Sequence, residues 1–217
     1  MRGFQTNSFW TTCLVCFPII VSFIFPQFVA WIPSAPAVSE KPAETSSDFL
    51  NFVKSVRNGQ ADVVRGVYVA NAFALPIVQQ PPNNAIYVSN KRREITQFAQ
   101  AAKNDVLGLL AHNYLSGKLF YQLVPDEEVI IVYGDGATQR YRITTIQQYQ
   151  KLAPKTLRSD FVDLHSRQRL TSAQVFDQFY RGDHRLIFQT CLAEDGLLNW
   201  GVTFIVAVPM ENNSLKF

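Results

Sequence analysis

From residue 61 onward the chain is cut into short β-compatible runs, each closed by turn residues, and this segmentation is its strongest constraint on fold. Residues 63–68 (VVRGVY) read as a first strand and residues 75–78 as a second. After the QQPPNN loop, residues 85–89 (AIYVS) read as a third. The clearest hairpin pairs residues 129–133 with 139–144 across Gly-Asp-Gly-Ala, a turn signal of the Asp-Gly kind. LIFQTC, residues 186–191, and WGVTFIVAV, residues 200–208, form a closing pair. Helical patterns are short by comparison. One starts at Ser47 or Asp48 as N-cap and stops at Gly59; another covers residues 94–106; a third follows Thr171 as N-cap. Between the last two, LGLLAHN is apolar and β-compatible and ends on His112 and Asn113. Many short strands with few helices predict a mostly β domain, an antiparallel barrel or sandwich.

The first segment bears on compartment. Residues 9–32, FWTTCLVCFPIIVSFIFPQFVAWI, carry no charge. A helix of about 20 apolar residues spans the hydrocarbon core of a bilayer, and prolines such as Pro18 and Pro26 are tolerated in membrane helices. Arg2 ahead of the run favours the N-terminus inside and the remainder outside. The run exceeds the usual core of a signal peptide, so an uncleaved single-pass anchor is the expectation. The competing reading is a cleavable signal ending at Ala35-Pro36-Ala37. Both readings export the domain. The expected organisation is residues 1–33 as anchor or signal, 34–60 as a Pro, Ala, Ser and Glu-rich spacer with a short helix, and 61–217 as the β domain. The formal net charge of +3 is dispersed, with no clustered basic footprint for nucleic acid.

Cysteine usage narrows the chemistry. Cys13 and Cys16 have C-x-x-C spacing but lie inside the apolar run, where two small residues of a membrane helix are the simpler account. Beyond that run the chain has only Cys191, so the exported part cannot close an internal disulfide. A leftover cysteine in an exported domain is a free thiol with a role or an intermolecular bridge. As a nucleophile it needs a partner that exchanges protons. Three histidines are available. His165 sits in a charged surface run. His184 enters the strand of Cys191, but alternation places it on the opposite face, more than about 20 Å along the strand. His112, at the end of an apolar run with Asn113, Tyr114 and Gly117 following as a loop rim, is the better candidate.

The combination of GLLAHN (residues 108–113) with LIFQTC (residues 186–191) resembles the sortase family. VVRGVYVANAFALPIVQQP is similar to the opening strands of that family, ITQFAQAAKNDVLGLLAHN to the helix leading to the histidine, and GDGATQRYRIT to its central hairpin. The resemblance covers roughly residues 61–209. It implies a closed, mixed or antiparallel β-barrel of about eight strands with short helices. It also implies a cell-surface cysteine transpeptidase without cofactor or metal. In that scheme Cys191 attacks a backbone carbonyl of a peptide sorting signal to give a thioester. His112 protonates the leaving amine and assists an amine acceptor of cell wall or pilin, or water. Thr190 shapes the pocket beside the thiol, and Asn113 supports it.

One position departs from the family. The resemblance implies an arginine on the strand after the cysteine loop, and Val202 stands there. No arginine follows Cys191 anywhere in the chain. Loss of one oxyanion donor ordinarily costs about 3–4 kcal/mol of transition-state stabilisation. Arg65, Arg140 and Arg142 substitute only if the fold brings them to the site. Arg185, six residues before Cys191, is out of reach at about 20 Å. Thr203 and main-chain N–H groups are weaker donors. The expectation is therefore an active transpeptidase or peptidase, set against a degenerate, peptide-binding or scaffolding domain of low activity. Asp135 reads as turn chemistry. Asp126, Glu127 and Glu128 read as a solvated loop in preference to a calcium site.

Overall fold

The computed structural model describes residues 47–156 and 158–211. The apolar run at residues 9–32, Cys13, Cys16 and the spacer up to residue 46 lie outside the described residues. Among the described residues no helix is long and apolar enough to cross a membrane.

Strand order explains the architecture. β1 (Val64–Val69), β2 (Phe73–Gln79), β3 (Ile95–Gln97), β4 (Val106–Leu110), β5 (Glu128–Tyr133), β6 (Thr138–Lys151), β7 (Phe161–Asp163), β8 (Arg169–Leu170), β9 (Arg185–Glu194) and β10 (Leu197–Pro209) form one sheet. Eight of these run in the order β10-β9-β4-β3-β2-β1-β5-β6, and pairing of β10 with β6 closes them into a barrel. β7 and β8 extend the sheet beyond the far half of β6. The barrel is mixed, because β2–β3 and β4–β9 are parallel and the other pairs are antiparallel. Closure leaves the barrel strands without the unpaired edges that invite aggregation.

Alternation along each strand sorts residues between two cores. Leu107, Leu109, Leu186, Phe188, Ile205 and Ala207 fill the barrel interior. Val106, Ile187, Val202 and Phe204 face outward, under helix α3 (Ser172–Tyr180). Phe179 stacks on Phe204 with centroids 4.0 Å apart, which fixes α3 across β9 and β10. The helix begins as expected, with Thr171 and Gln174 closing a capping box. A bulge lets β6 serve both cores. Thr145 pairs with Val206 and Ile143 with Ala207, so Thr144 is the extra residue. Tyr141 and Ile143 therefore point inward while Tyr149 points into the outer cluster. Helix α1 (Ser47–Val56) packs Phe49, Val53 and Val56 against Val132 on β5. Ser47 and Asp48 already lie inside this helix, so neither is its cap.

Two other elements differ from the sequence expectation. Residues 85–89 are loop, because the Gln80 side chain takes the carbonyls of Ala85 and Tyr87 and Thr96 Oγ1 takes Ser89 N–H. These backbone groups find their partners without a strand. The third strand is instead Ile95–Gln97, inside the expected helix over 94–106; that helix shrinks to α2 (Ala99–Ala102). Ile95 and Thr96 are β-branched and fully buried, and pairing with β2 and β4 outweighs helix propensity. Gly108 permits this packing, since a Cβ there would lie 2.9 Å from Ala101 Cβ and 3.0 Å from Phe98 Cβ.

Candidate active site at the β4–β9 strand ends

The parallel pairing of β4 with β9 sets the site. Leu110 is in register with Gln189, and Ala111 N–H still donates to Gln189 O at 3.3 Å. Two residues past that pair, His112 follows the end of β4 and Cys191 continues β9. Cys191 continues the outward-facing row Ile187-Gln189 of β9, and His112 lies just past the end of the row Val106-Gly108-Leu110 of β4. Cys191 is a half-buried free thiol. The His112 ring stacks on Tyr114 with centroids 5.1 Å apart and planes at 17°.

Thr190 and Gly117 hold the strand ends together. Thr190 is buried, and its Oγ1 donates to Ala111 O at 2.9 Å, tying β9 to the residue before His112. The chain then turns, with His112 O accepting from both Leu115 N–H and Gly117 N–H at 2.9 Å. A 3₁₀ helix, Ser116–Gln122, crosses the strand ends at this point. Its Phe120 and its following Leu123 are buried in the barrel core. Ser116 Oγ accepts Glu94 N–H, which pins the start of the helix to the loop ahead of β3.

That helix delivers a residue the sequence reading did not single out. Tyr121 Oη donates to Cys191 O at 2.5 Å. Asn113 hydrogen-bonds the same phenol and donates through Nδ2 to Leu198 O at 2.7 Å. Burial first, then the negative charge of a nearby Cys191 thiolate, raises the Tyr121 hydroxyl above its usual range, while Asn113 acts in the opposite sense. Only the pattern around Tyr121 hinted at this, a tyrosine between Phe120 and Leu123 shortly after the histidine. Beyond the thiol, Asn113, Tyr114, Tyr121, Leu192, Ala193 and Leu198 line a cleft of about 250 Å³. Tyr114, Tyr121 and Leu198 are large exposed side chains at its rim, so the surface beside Cys191 is aromatic and apolar.

Val202 is directly opposite Cys191 in the β9–β10 register and 2% exposed, packed in the outer cluster. The other arginines weighed from the sequence sit at the opposite end of the barrel. Arg142 pairs with Val208 and Glu128, while Val202 pairs with Tyr149. Arg140 makes a bidentate pair with Glu128. Arg65 lies in the bulge of β1 opposite Tyr133, at the end of β5 remote from Cys191. Arg185 opens β9 and donates to the Arg181 carbonyl. Thr203 is buried and turned inward, with Gln148 Nε2 donating to its hydroxyl at 3.4 Å.

The remaining histidines have other employment. His184 is at the far end of the barrel, with Nε2 2.9 Å from Tyr141 Oη and Nδ1 2.8 Å from Asp105 O. His165 is in the turn joining β7 and β8, where its N–H and that of Ser166 donate to Asp163 Oδ1. Asp163 is three strand spacings from Cys191, through Tyr149 and Val202, or about 14 Å. Of the acidic run, Glu128 pairs with Arg140, Glu127 accepts Val124 N–H, and Asp126 turns the chain with φ of +69°.

No family profile matches the chain, and no curated protein matches it in sequence. Solved structures similar to it are sortases. Sortase A from Corynebacterium diphtheriae is 10% identical, with a TM-score of 0.48 over 79% of this chain and 72% of that one. Sortase C-1 from Actinomyces oris is 10% identical, with a TM-score of 0.47 over 75% and 80%. Sortase A of Listeria monocytogenes is 10% identical, with a TM-score of 0.45 over 71% and 91%.

Proposed function

We propose that the chain is a cysteine acyl-transfer enzyme of the sortase type, acting on a sorting signal of surface proteins. The observation that supports this reading is the β4–β9 register, whose last pair, Leu110 with Gln189, lies two residues before both the candidate acid–base His112 and the candidate nucleophile Cys191. The Cys191 thiol passes its proton to His112 as its sulfur attacks a backbone carbonyl carbon, and the tetrahedral adduct collapses to a thioester as the C–N bond breaks. His112 gives a proton to the departing amine and then takes one from the incoming acceptor, an amine of cell wall or pilin, or water. Thr190 serves by holding the two strand ends in register, and Asn113 by bracing the cleft. The apolar segment at residues 9–32 anchors the chain in the cell membrane, with the barrel outside the cytoplasm.

A second reading has its own support. Val202 faces the same side as Cys191, is apolar and buried, and carries no donor for a developing negative charge. On this reading the domain binds sorting peptides in the cleft beside Cys191 and turns them over slowly or not at all.

The two are separated by incubating the full chain in detergent micelles with a fluorogenic sorting-peptide library and an amine acceptor. The enzyme reading expects cleavage and an amine-linked product, both abolished in Cys191→Ala and strongly reduced in His112→Ala. Saturable peptide binding without cleavage supports the second reading.

A further inference from the structure

Val202 offers no donor, yet one hydroxyl is held at the residue that bears the thiol. Residues two apart on a strand direct their carbonyls to the same side. Gln189 O faces β4 and accepts Ala111 N–H, so Cys191 O faces the place where Asn113 N–H would continue the ladder. The chain has already turned at His112, and the Tyr121 hydroxyl fills that slot at 2.5 Å. Asn113 supplies its side chain in place of its backbone. An amide nitrogen has two hydrogens, enough for both Leu198 O and the phenol oxygen. Donation into a phenol oxygen polarises its O–H and strengthens it as a donor. Burial and the neighbouring thiolate charge both oppose its ionisation, so the proton stays in place.

We propose that Tyr121 donates a hydrogen bond to the oxyanion that develops during acyl transfer at Cys191, the part a guanidinium on β10 would otherwise take. The proposal rests on the acyl-transfer reading above. As the S–C bond forms, the carbonyl π pair moves onto oxygen. The Tyr121 hydroxyl turns from the Cys191 carbonyl to that oxygen, and no proton is transferred. When the adduct collapses, C=O re-forms, the C–N bond breaks, and the amine leaves with a proton from His112. Asn113 is a positioning residue that acts through Tyr121.

The test uses two acyl donors on the full chain in micelles, p-nitrophenyl acetate and the sorting-peptide library, with Cys191 acylation followed by mass spectrometry. Tyr121→Phe keeps the ring and removes the donor. It is expected to melt as wild type and to be acetylated roughly 100-fold more slowly, with KM unchanged. Asn113→Leu is expected to lose less, and the double variant to match Tyr121→Phe alone, as coupled residues do. Acetylation of Tyr121→Phe at the wild-type rate overturns the assignment. If Tyr121→Phe does not fold, an unchanged rate in Asn113→Leu overturns it. Acetylation of Cys191 by the ester without acylation by any peptide defeats the sorting-signal reading, and the ester rates then judge Tyr121 alone. Wild-type Cys191 acetylated no faster than free cysteine overturns the assignment as well.

Discussion

Gly117 is the position where the site is most sensitive to one added carbon. It lies at the crossing of the 3₁₀ helix over the ends of β4 and β9. A Cβ there would meet Thr190 Oγ1 and would lie 2.7 Å from Ala111 O and 2.8 Å from His112 O. Close carbon–oxygen contacts otherwise run about 3.3–3.6 Å, so the helix must lift by about 0.5 Å. The two carbonyls cannot yield freely, because Ala111 O holds the Thr190 hydroxyl and His112 O holds two N–H groups of the turn. Overpacking of this kind costs about 1–3 kcal/mol, and the higher helix propensity of alanine returns up to about 1 kcal/mol. Gly117→Ala should therefore destabilise by about 1–2 kcal/mol, a melting shift of roughly 2–8 °C for a domain of this size. The larger effect is on chemistry, because the lifted helix carries Tyr121 away from Cys191. A displacement approaching 1 Å can cost about 100-fold in rate. Circular-dichroism melts and p-nitrophenyl acetate acylation read the two effects separately. Wild-type melting together with wild-type acylation in Gly117→Ala would refute this account of the helix crossing.

Thr190→Val keeps the shape but leaves the Ala111 carbonyl without its buried donor, so the urea midpoint should fall by the equivalent of about 1–3 kcal/mol; an unmoved midpoint counts against the strut. Val202→Arg removes a buried side chain and should cost about 1.5–3 kcal/mol in urea unfolding. It should accelerate acylation in a Tyr121→Phe background and not in wild type; acceleration in both would mean that Tyr121 does not fill the donor's role. Burial, then neighbouring Tyr133 and Asp105, holds the Tyr141 hydroxyl far above the usual tyrosine range. Unfolded tyrosine ionises near pH 10, so above that pH the unfolded state binds fewer protons and stability falls as pH rises. Tyr141→Phe should flatten that alkaline decline while losing the bond to His184 Nε2 at 2.9 Å, and an equally steep decline would contradict it.

What could be read from the sequence was whatever depended on local pattern and order. Alternation placed Ile187, Gln189 and Cys191 on one face and Leu186, Phe188 and Thr190 on the other, and the two cores divide along those lines. The Asp-Gly hairpin and the Thr171 N-cap are local signals, and both are present in the fold. Eight strands close the barrel, as the sortase resemblance implied. The failures arose where long-range partners overrode local preference. Ile95 and Thr96 sit in a helix-like sequence, but Ile95 pairs with β2 and Thr96 with both β2 and β4. AIYVS looks like a strand, yet the side chain of Gln80 takes up its carbonyls. The strand β7 and the turn after it lie in a charged stretch whose pairing depends on the overlong β6. At the site, no spacing could relate Cys191 to His112 or to Tyr121, seventy residues away, because the connection is a parallel register and a short helix laid across it. The pairing of β6 with β10 and β5 moves Arg140 and Arg142 to the far end, which no local pattern could decide.

The most direct test of the central claim is the intact mass of the full chain after incubation with the sorting-peptide library in the absence of acceptor. The account predicts one added acyl fragment, mapped to Cys191, absent in Cys191→Ala and released on addition of an amine. A folded protein whose mass stays unshifted with every peptide would contradict it.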